Sequence, residues 1–167
     1  MGADAAGPGR RHLETSRCAF INPAWTVLLS NKFLLVALWE MFPDHPLLLP
    51  AATTPDSLGD HVAKPIHARG GENVSVHRAV DGQIIQTERC EGTYGAYPTI
   101  YQQFVDTRLS DEPGQPHTSI GTWTVGPNGR FAGITIREDA SAIIRNSSPI
   151  VPVSLARNQT GSVTGRP

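Results

Sequence analysis

Two clusters in this chain combine residue types that could do chemistry. The first is Lys64-Pro65 followed by Ala68-Arg69-Gly70-Gly71-Glu72-Asn73-Val74, a lysine at the end of an expected strand and then a Gly-rich turn opening a hairpin. Adjacent glycines let backbone N–H groups approach phosphate oxygens, and a nearby Lys or Arg neutralises the phosphate charge. The segment is neither a Walker A sequence nor a GxGxxG after a strand, and Gly-Gly beside Arg is also an ordinary hairpin connection. The second cluster, Arg137-Glu138-Asp139, ends the apolar run Ala132 to Ile136. There acids can hold Mg²⁺ and an arginine can stabilise charge developing on a transferred phosphoryl group. By pattern alone, a solvated strand terminus is the commoner reading.

Other chemistries have less to work with. The six histidines, His12, His45, His61, His67, His77 and His117, are scattered, with no pair at metal-ligand spacing on a recognisable helix. There is no Gly-x-Ser-x-Gly elbow, and neither Cys18 nor Cys90 sits in a catalytic signature. Two cysteines without a Cys-x-x-Cys spacing point away from a stapled secreted scaffold and toward a reducing cytoplasm. Asn-x-Ser/Thr triplets begin at Asn73, Asn146 and Asn158. A secreted, glycan-bearing β domain would need an export signal as well, and the first twenty residues lead to no apolar segment with a small-residue cleavage site.

The elements that must position these clusters read as follows. Asn22-Pro23 is a plausible helix start, and Trp25, Leu28, Leu29, Phe33, Val36 and Leu38 recur at near-helical spacing. One helix is therefore expected, ending where Pro43 and Pro46 bracket Asp44 and His45. Its longest apolar run, Phe33 to Trp39, is far short of the roughly 20 residues a membrane span needs. LLLPAATTPDSLG reads as a connector. Beyond His61 the pattern becomes short β-branched runs, HVAKPI, NVSVHRAV, QIIQTER, TIYQQFV, SIGTWTV and FAGITIRED, and AIIRNSSPIVPV reads as the final ordered piece. Asp81-Gly82 between two such runs is a hairpin signal, and Pro127-Asn128-Gly129 marks a second turn.

At 167 residues the chain suits one domain, and 39% hydrophobic residues suffice for a core. Sixteen glycines and 14 prolines predict many turns and short strands. A net charge of -1 supports neither a nucleic-acid partner nor an anionic membrane surface, so small molecules are the expected ligands. Residues 1–20 read as a disordered or non-native leader, residues 21–154 as the domain, and residues 155–167 as a flexible tail.

Several blocks, in one order, resemble the C-terminal part of the glutathionylspermidine synthase family. NPAWTVLLSNKFLLVALWEMFPDHPLLLPA is similar to the family's PAW, LLSNK and LLWEMFPNHP-LLPA segments. KPIHARGGENVSV, TIYQQF, SIGTWTVG with AGITIRED, and IIRNSSPIVP follow in the family's order. The resemblance implies an α+β fold, a partial ATP-grasp with one N-terminal helix and then antiparallel β-rich lobes. It also implies an ATP-dependent ligase that makes an acyl-phosphate, with Mg²⁺, for attack by an amine. In the family's namesake reaction the acid is the glycine carboxylate of glutathione and the amine is the polyamine spermidine.

Carried over block by block, Lys32 and Lys64 match ATP-contacting lysines. Arg69, Gly70, Gly71, Glu72 and Asn73 match the loop folding over the phosphates. Gln102, Gln103, Phe104 and Val105 match the linker that hydrogen-bonds adenine, and Arg137 matches the catalytic arginine at the reacting phosphoryl group. Read without the family, Lys32 is also simply the polar face of a helix. The chain departs from the pattern in three places. Gly70 replaces a usual Glu, which implies a more mobile lid; Pro149-Ile150 replaces Arg-Phe; and Val153 replaces His. The family places its main Mg²⁺ ligands and glutathione-contacting residues before the PAW segment. The chain is therefore expected to be a fragment without ligase activity by itself, completed by a separate upstream chain or, alternatively, a non-catalytic remnant serving as a β-rich interaction module.

Overall fold

The computed structural model describes residue 17 and residues 24–154. The expected leader, the Asn22-Pro23 helix start and the expected tail lie outside those residues, apart from Arg17 within the leader. By internal contacts the chain divides into residues 1–30 and residues 31–167. Of the first unit, the described element is a 3₁₀ helix, Ala24–Ser30, whose Ser30 hydroxyl donates to the Val27 carbonyl at 2.7 Å.

The single expected helix is thus two elements, because an α-helix, α1, runs over Phe33–Met41. The break has a local and a distant cause. Asn31 makes a side-chain turn just before the new helix, its Oδ1 accepting from the Phe33 N–H at 2.9 Å, and Lys32 is the N-cap. The Lys32 N–H, which a continuous helix would direct to a carbonyl four residues back, donates instead to the Ile66 carbonyl at 2.9 Å. α1 stops one turn before Asp44, which has φ 60, in the Pro43–Pro46 segment.

Five strands form one antiparallel sheet in the order β1-β5-β2-β3-β4: β1 Ala51–Ala52, β2 His61–Pro65, β3 Ser75–Val80, β4 Gln83–Arg89 and β5 Thr99–Gln103. β1 is a correction, since the connector that contains it pairs with β5 through Ala51↔Gln102 and Ala52↔Tyr101. The β3–β4 hairpin turns at Asp81 (φ 50) and Gly82 (φ 79), the two positive values that a type I′ turn requires. A second sheet, β6-β7-β8, joins β6 His117–Val125, β7 Arg130–Asp139 and β8 Ile150–Val151. The architecture is α+β and β-rich, as expected.

Pleating gives the five-stranded sheet two distinct faces. One carries Val62, Lys64, Val76, Ile100 and Gln102, and packs in two apolar clusters. Val36 of α1 meets Ala51 and Ile100, with Leu35, Trp39 and Ile66 around them. Val74 and Val76 meet Ile143, with Val62, Phe104 and Ala142 around them. On the other face, His61 stacks on His77 with ring centroids 4.8 Å apart, and Tyr101 lies edge-on to His61.

Candidate functional site

The clustered face leads into a cleft of about 490 Å³ between the two sheets. Lys32, Lys64, Gly71 and Gln102 to Val105 line it from the helix and five-stranded side; Thr107, Thr118, Ser119 and Ile120 line it from β6 and its approach; and residues 142–144 close it. Seven of the residues expected at a nucleotide site are thereby brought together: Lys32, Lys64, Gly71, Gln102, Gln103, Phe104 and Val105. They come from four separate stretches of chain.

Lys64 reaches the cleft because strand alternation turns His61, Ala63 and Pro65 to the opposite face of the sheet and Val62 and Lys64 to this one. Its Nζ donates to Gln102 Oε1 at 2.7 Å. Lys32, at the N-terminus of α1, donates from Nζ to the Ala68 carbonyl at 2.8 Å. Burial, and then repulsion from Lys32, push the Lys64 ammonium down to about 8; burial also lowers Lys32. A pair of partly buried cations normally has a carboxylate beside it. Here both ammonium groups have neutral oxygen partners, and no Asp, Glu, Arg or His is among the described residues lining the cleft. The site is an uncompensated positive pole.

The Gly-rich segment divides in two. Gly71 (φ 76) lies so close to the closing segment that an added Cβ would sit 2.8 Å from both Ile143 Cγ2 and the Ile144 carbonyl oxygen. Gly70 (φ 57) has a left-handed backbone that suits glycine, and a Cβ there would press on the Asn146 side-chain amide, which would have to move aside. Arg69, Gly70, Glu72 and Asn73 do not line the cleft. Glu72 accepts from the Thr93 N–H at 3.0 Å and Asn73 from the Tyr94 N–H at 2.8 Å, so both side chains tie the loop to the following Gly/Tyr-rich segment.

The linker is also partly committed. The Gln103 N–H donates to the Pro50 carbonyl at 2.8 Å and the Phe104 N–H to the Asp60 carbonyl at 2.9 Å. These bonds fix the strand end, and their donors are not free for a ligand.

Arg137 stands apart from the lysines. It pairs with Ser119 across the β6–β7 ladder and lines a second groove with Trp123, Thr135 and Ile150. Its Nη1 donates to the Arg145 carbonyl at 2.9 Å. Asp139 is held well below the usual carboxylate range by hydrogen bonds from the Ser148 hydroxyl and the Ser141 N–H, and is a structural tie for the loop after β7. Among the described residues no group of three or more His, Cys, Asp or Glu could hold a metal ion. The described residues lining the cleft carry no carboxylate and so offer Mg²⁺ no side-chain anion of their own. No described helix is long and apolar enough to cross a membrane.

Sequence reasoning missed Thr107, Thr118, Ile120 and residues 142–144. Thr118 is 8% exposed, and its hydroxyl is buried without a hydrogen-bond partner. The signal available was the strand position of Thr118, but which face of β6 meets the cleft depends on the return of β7.

The family model described as glutathionylspermidine synthase preATP-grasp matches residues 3–156. A Haemophilus influenzae protein named "Putative acid–amine ligase" is 37% identical over 85% of this chain and 36% of its own length. The Escherichia coli bifunctional glutathionylspermidine synthetase/amidase is 33% identical over 81% of this chain and 21% of its own length. The Crithidia fasciculata trypanothione synthetase is 32% identical over 83% and 21% respectively. The chain thus spans about a third or less of the length of these relatives. The chain belongs to the glutathionylspermidine synthase preATP-grasp family.

Proposed function

We propose that the cleft is the nucleotide-binding part of an ATP-dependent carboxylate–amine ligase of the glutathionylspermidine synthase type, acting in the cytoplasm. The single observation that carries this reading is the pole formed by Lys32 and Lys64, the only ionisable groups among the described residues that line the cleft. In that reading the two ammonium groups meet the phosphate chain as point charges. Gly71 lets the loop backbone lie close beside it, and the apolar linker residues Phe104 and Val105 cover the base. Bound ATP supplies the phosphoryl group that activates a carboxylate, and this chain's residues bind and orient it. The relatives named as glutathionylspermidine and trypanothione synthetases point to glutathione as the acid and a polyamine as the amine.

The described residues lining the cleft supply the anion end of such a site and no carboxylate for a divalent ion. Positioning and metal electrostatics make up most of the catalysis of phosphoryl transfer, so the chain by itself binds nucleotide without forming the amide and is completed by an upstream half. Glutathione-dependent ATP turnover by the purified chain overturns this part.

Calorimetric titration with ATP tests the main reading, alongside Lys64→Met. Removing a buried ammonium that has no counter-charge relieves the fold rather than harming it, so binding lost in the variant, tenfold or more, is a loss at the site. A second reading, a non-catalytic β-rich interaction module, is favoured by the exposed Ile120, Trp123 and Phe131 on the β6–β7 hairpin. No ATP binding by either protein selects it.

A further inference from the structure

Lys64 and Gln102 lie diagonally on one face of the β2–β5 ladder, where Val62 pairs with Gln102 and Lys64 with Ile100. The amide is buried, and its Oε1 is 2.7 Å from the Lys64 ammonium. A buried ammonium is ordinarily matched by a carboxylate. Glutamate has nearly the shape of glutamine and would supply one at this position. The neutral amide fixes the direction of the ammonium and leaves its charge uncancelled, and Lys32 adds a second positive charge beside it. The groups facing Lys64 from the other elements around the cleft, residues 142–144 and Thr118 to Ile120, carry no charge.

We infer that Gln102 is a positioning residue for anion binding: its amide oxygen aims the Lys64 ammonium into the cleft without neutralising it, so that a phosphate chain meets two full positive charges. This inference rests on the nucleotide reading above and changes one part of it. The resemblance assigns Gln102 to adenine, whereas its Oε1 here accepts from the Lys64 ammonium.

A consequence is a coupling between anion and proton. Lys64 in the free protein gives up its proton near pH 8, and a bound anion holds it on. Anion affinity therefore falls as pH rises through 8. In Gln102→Glu the new carboxylate raises the Lys64 pKa and occupies its charge, so affinity is low and nearly flat with pH.

The test titrates the purified chain, Gln102→Glu and Gln102→Leu with ATP and with inorganic tripolyphosphate between pH 7 and 9.5. The Lys64 ammonium is followed in parallel by NMR without ligand. The wild type is expected to lose roughly tenfold in affinity for both ligands over that range. Gln102→Glu is expected to bind both at least tenfold more weakly at pH 7, while melting no lower than wild type and showing Lys64 titrating well above 8. Gln102→Leu keeps the pH dependence and binds more weakly, because the ammonium is no longer aimed. If Gln102→Glu binds tripolyphosphate like the wild type, or leaves the Lys64 titration in place, Gln102 is a packing residue and the inference fails while the nucleotide reading stands. If the wild type binds tripolyphosphate but not ATP, the nucleotide reading fails and the role of Gln102 stands. Binding of neither ligand overturns both.

Discussion

The two sheets of this molecule bury their side chains to very different degrees. In the five-stranded sheet β2, β3 and β5 each contribute buried residues, and with α1 they enclose Ile100, Val36 and Val76, the largest fully buried side chains among the described residues. In the three-stranded sheet only Thr118, at the inner end of β6, is buried, and Ile120, Trp123, Val125, Phe131 and Ile150 are largely exposed. The lysines rise from the first sheet and its helix, and the second sheet contributes neutral walls to the cleft. The contrast separates two jobs. A packed lobe can hold two unneutralised cations in place because apolar burial offsets their repulsion, whereas a thin hairpin can only cover what the other lobe holds.

The strongest way to break that contrast is to cut the same kind of group from each lobe. Ile100→Ala removes a side chain that is 1% exposed and bridges α1 to β5, and is expected to cost about 2–5 kcal/mol. Phe131→Ala removes a larger ring that is 62% exposed, and is expected to stay within about 0.5 kcal/mol. Urea unfolding of both variants decides it. A comparable loss from Phe131→Ala would mean that the second lobe has a core of its own.

Charge in the packed lobe gives the next largest effect. In the unfolded chain Lys64 keeps its proton to about 10.5, in the folded protein only to about 8. Below pH 8 both forms are protonated and this group adds no slope. Between 8 and 10.5 the unfolded chain binds more protons, so stability rises with pH, by no more than about 3 kcal/mol in total. Lys64→Met removes the rise and is more stable than wild type at pH 7. Melting curves at pH 7, 8.5 and 10 check this, and a wild-type stability flat across that window would mean that the ammonium is well solvated.

The same contrast explains what could be read from the sequence. The β3–β4 hairpin was legible because Asp81-Gly82 supplies both positive φ values locally, and the β-branched runs marked six of the eight strands. The helix break was not, since the apolar spacing runs on through Asn31-Lys32 and the donor that would continue the helix is captured by Ile66, 34 positions away. At the site, Lys64 stood out beside a Gly-rich turn and Lys32 was assigned through a resemblance; their sharing one cleft follows from α1 packing on β1 and β5. The Lys64–Gln102 bond depends on the β2–β5 register, which residue type alone does not fix. Arg137 was read with the phosphate groups because three charges arrive together. It lines the second groove with Trp123, Thr135 and Ile150 instead, and is absent from the lining of the lysine cleft.

A smaller effect tests how firmly the Gly-rich loop is docked to the segment that closes the cleft. Gly71→Ala puts a methyl group 2.8 Å from Ile143 Cγ2 and the Ile144 oxygen, at a φ of 76 that suits glycine. A cost of about 1–3 kcal/mol is expected, together with faster hydrogen exchange at Ile143 and Ile144. Gly59→Ala is the control, since it has a positive φ but open space around it. An equal cost in both would assign the whole effect to backbone strain and none to the packing of the loop.

Thr118 offers the smallest change and the most local view of where the two lobes meet. It is the one buried residue of the second sheet, and its hydroxyl has no partner among the described residues. Its methyl group and its position in β6 are kept by valine, which also suits a strand. Thr118→Val therefore removes an unsatisfied buried polar atom at nearly constant shape, and a gain of about 1 kcal/mol is expected. The readout is a higher urea midpoint at an unchanged slope, which assigns the gain to the folded state. A loss of stability would mean that the hydroxyl has a partner in solution, and that the inner end of β6 is built by polar contacts rather than by apolar packing like that around Ile100.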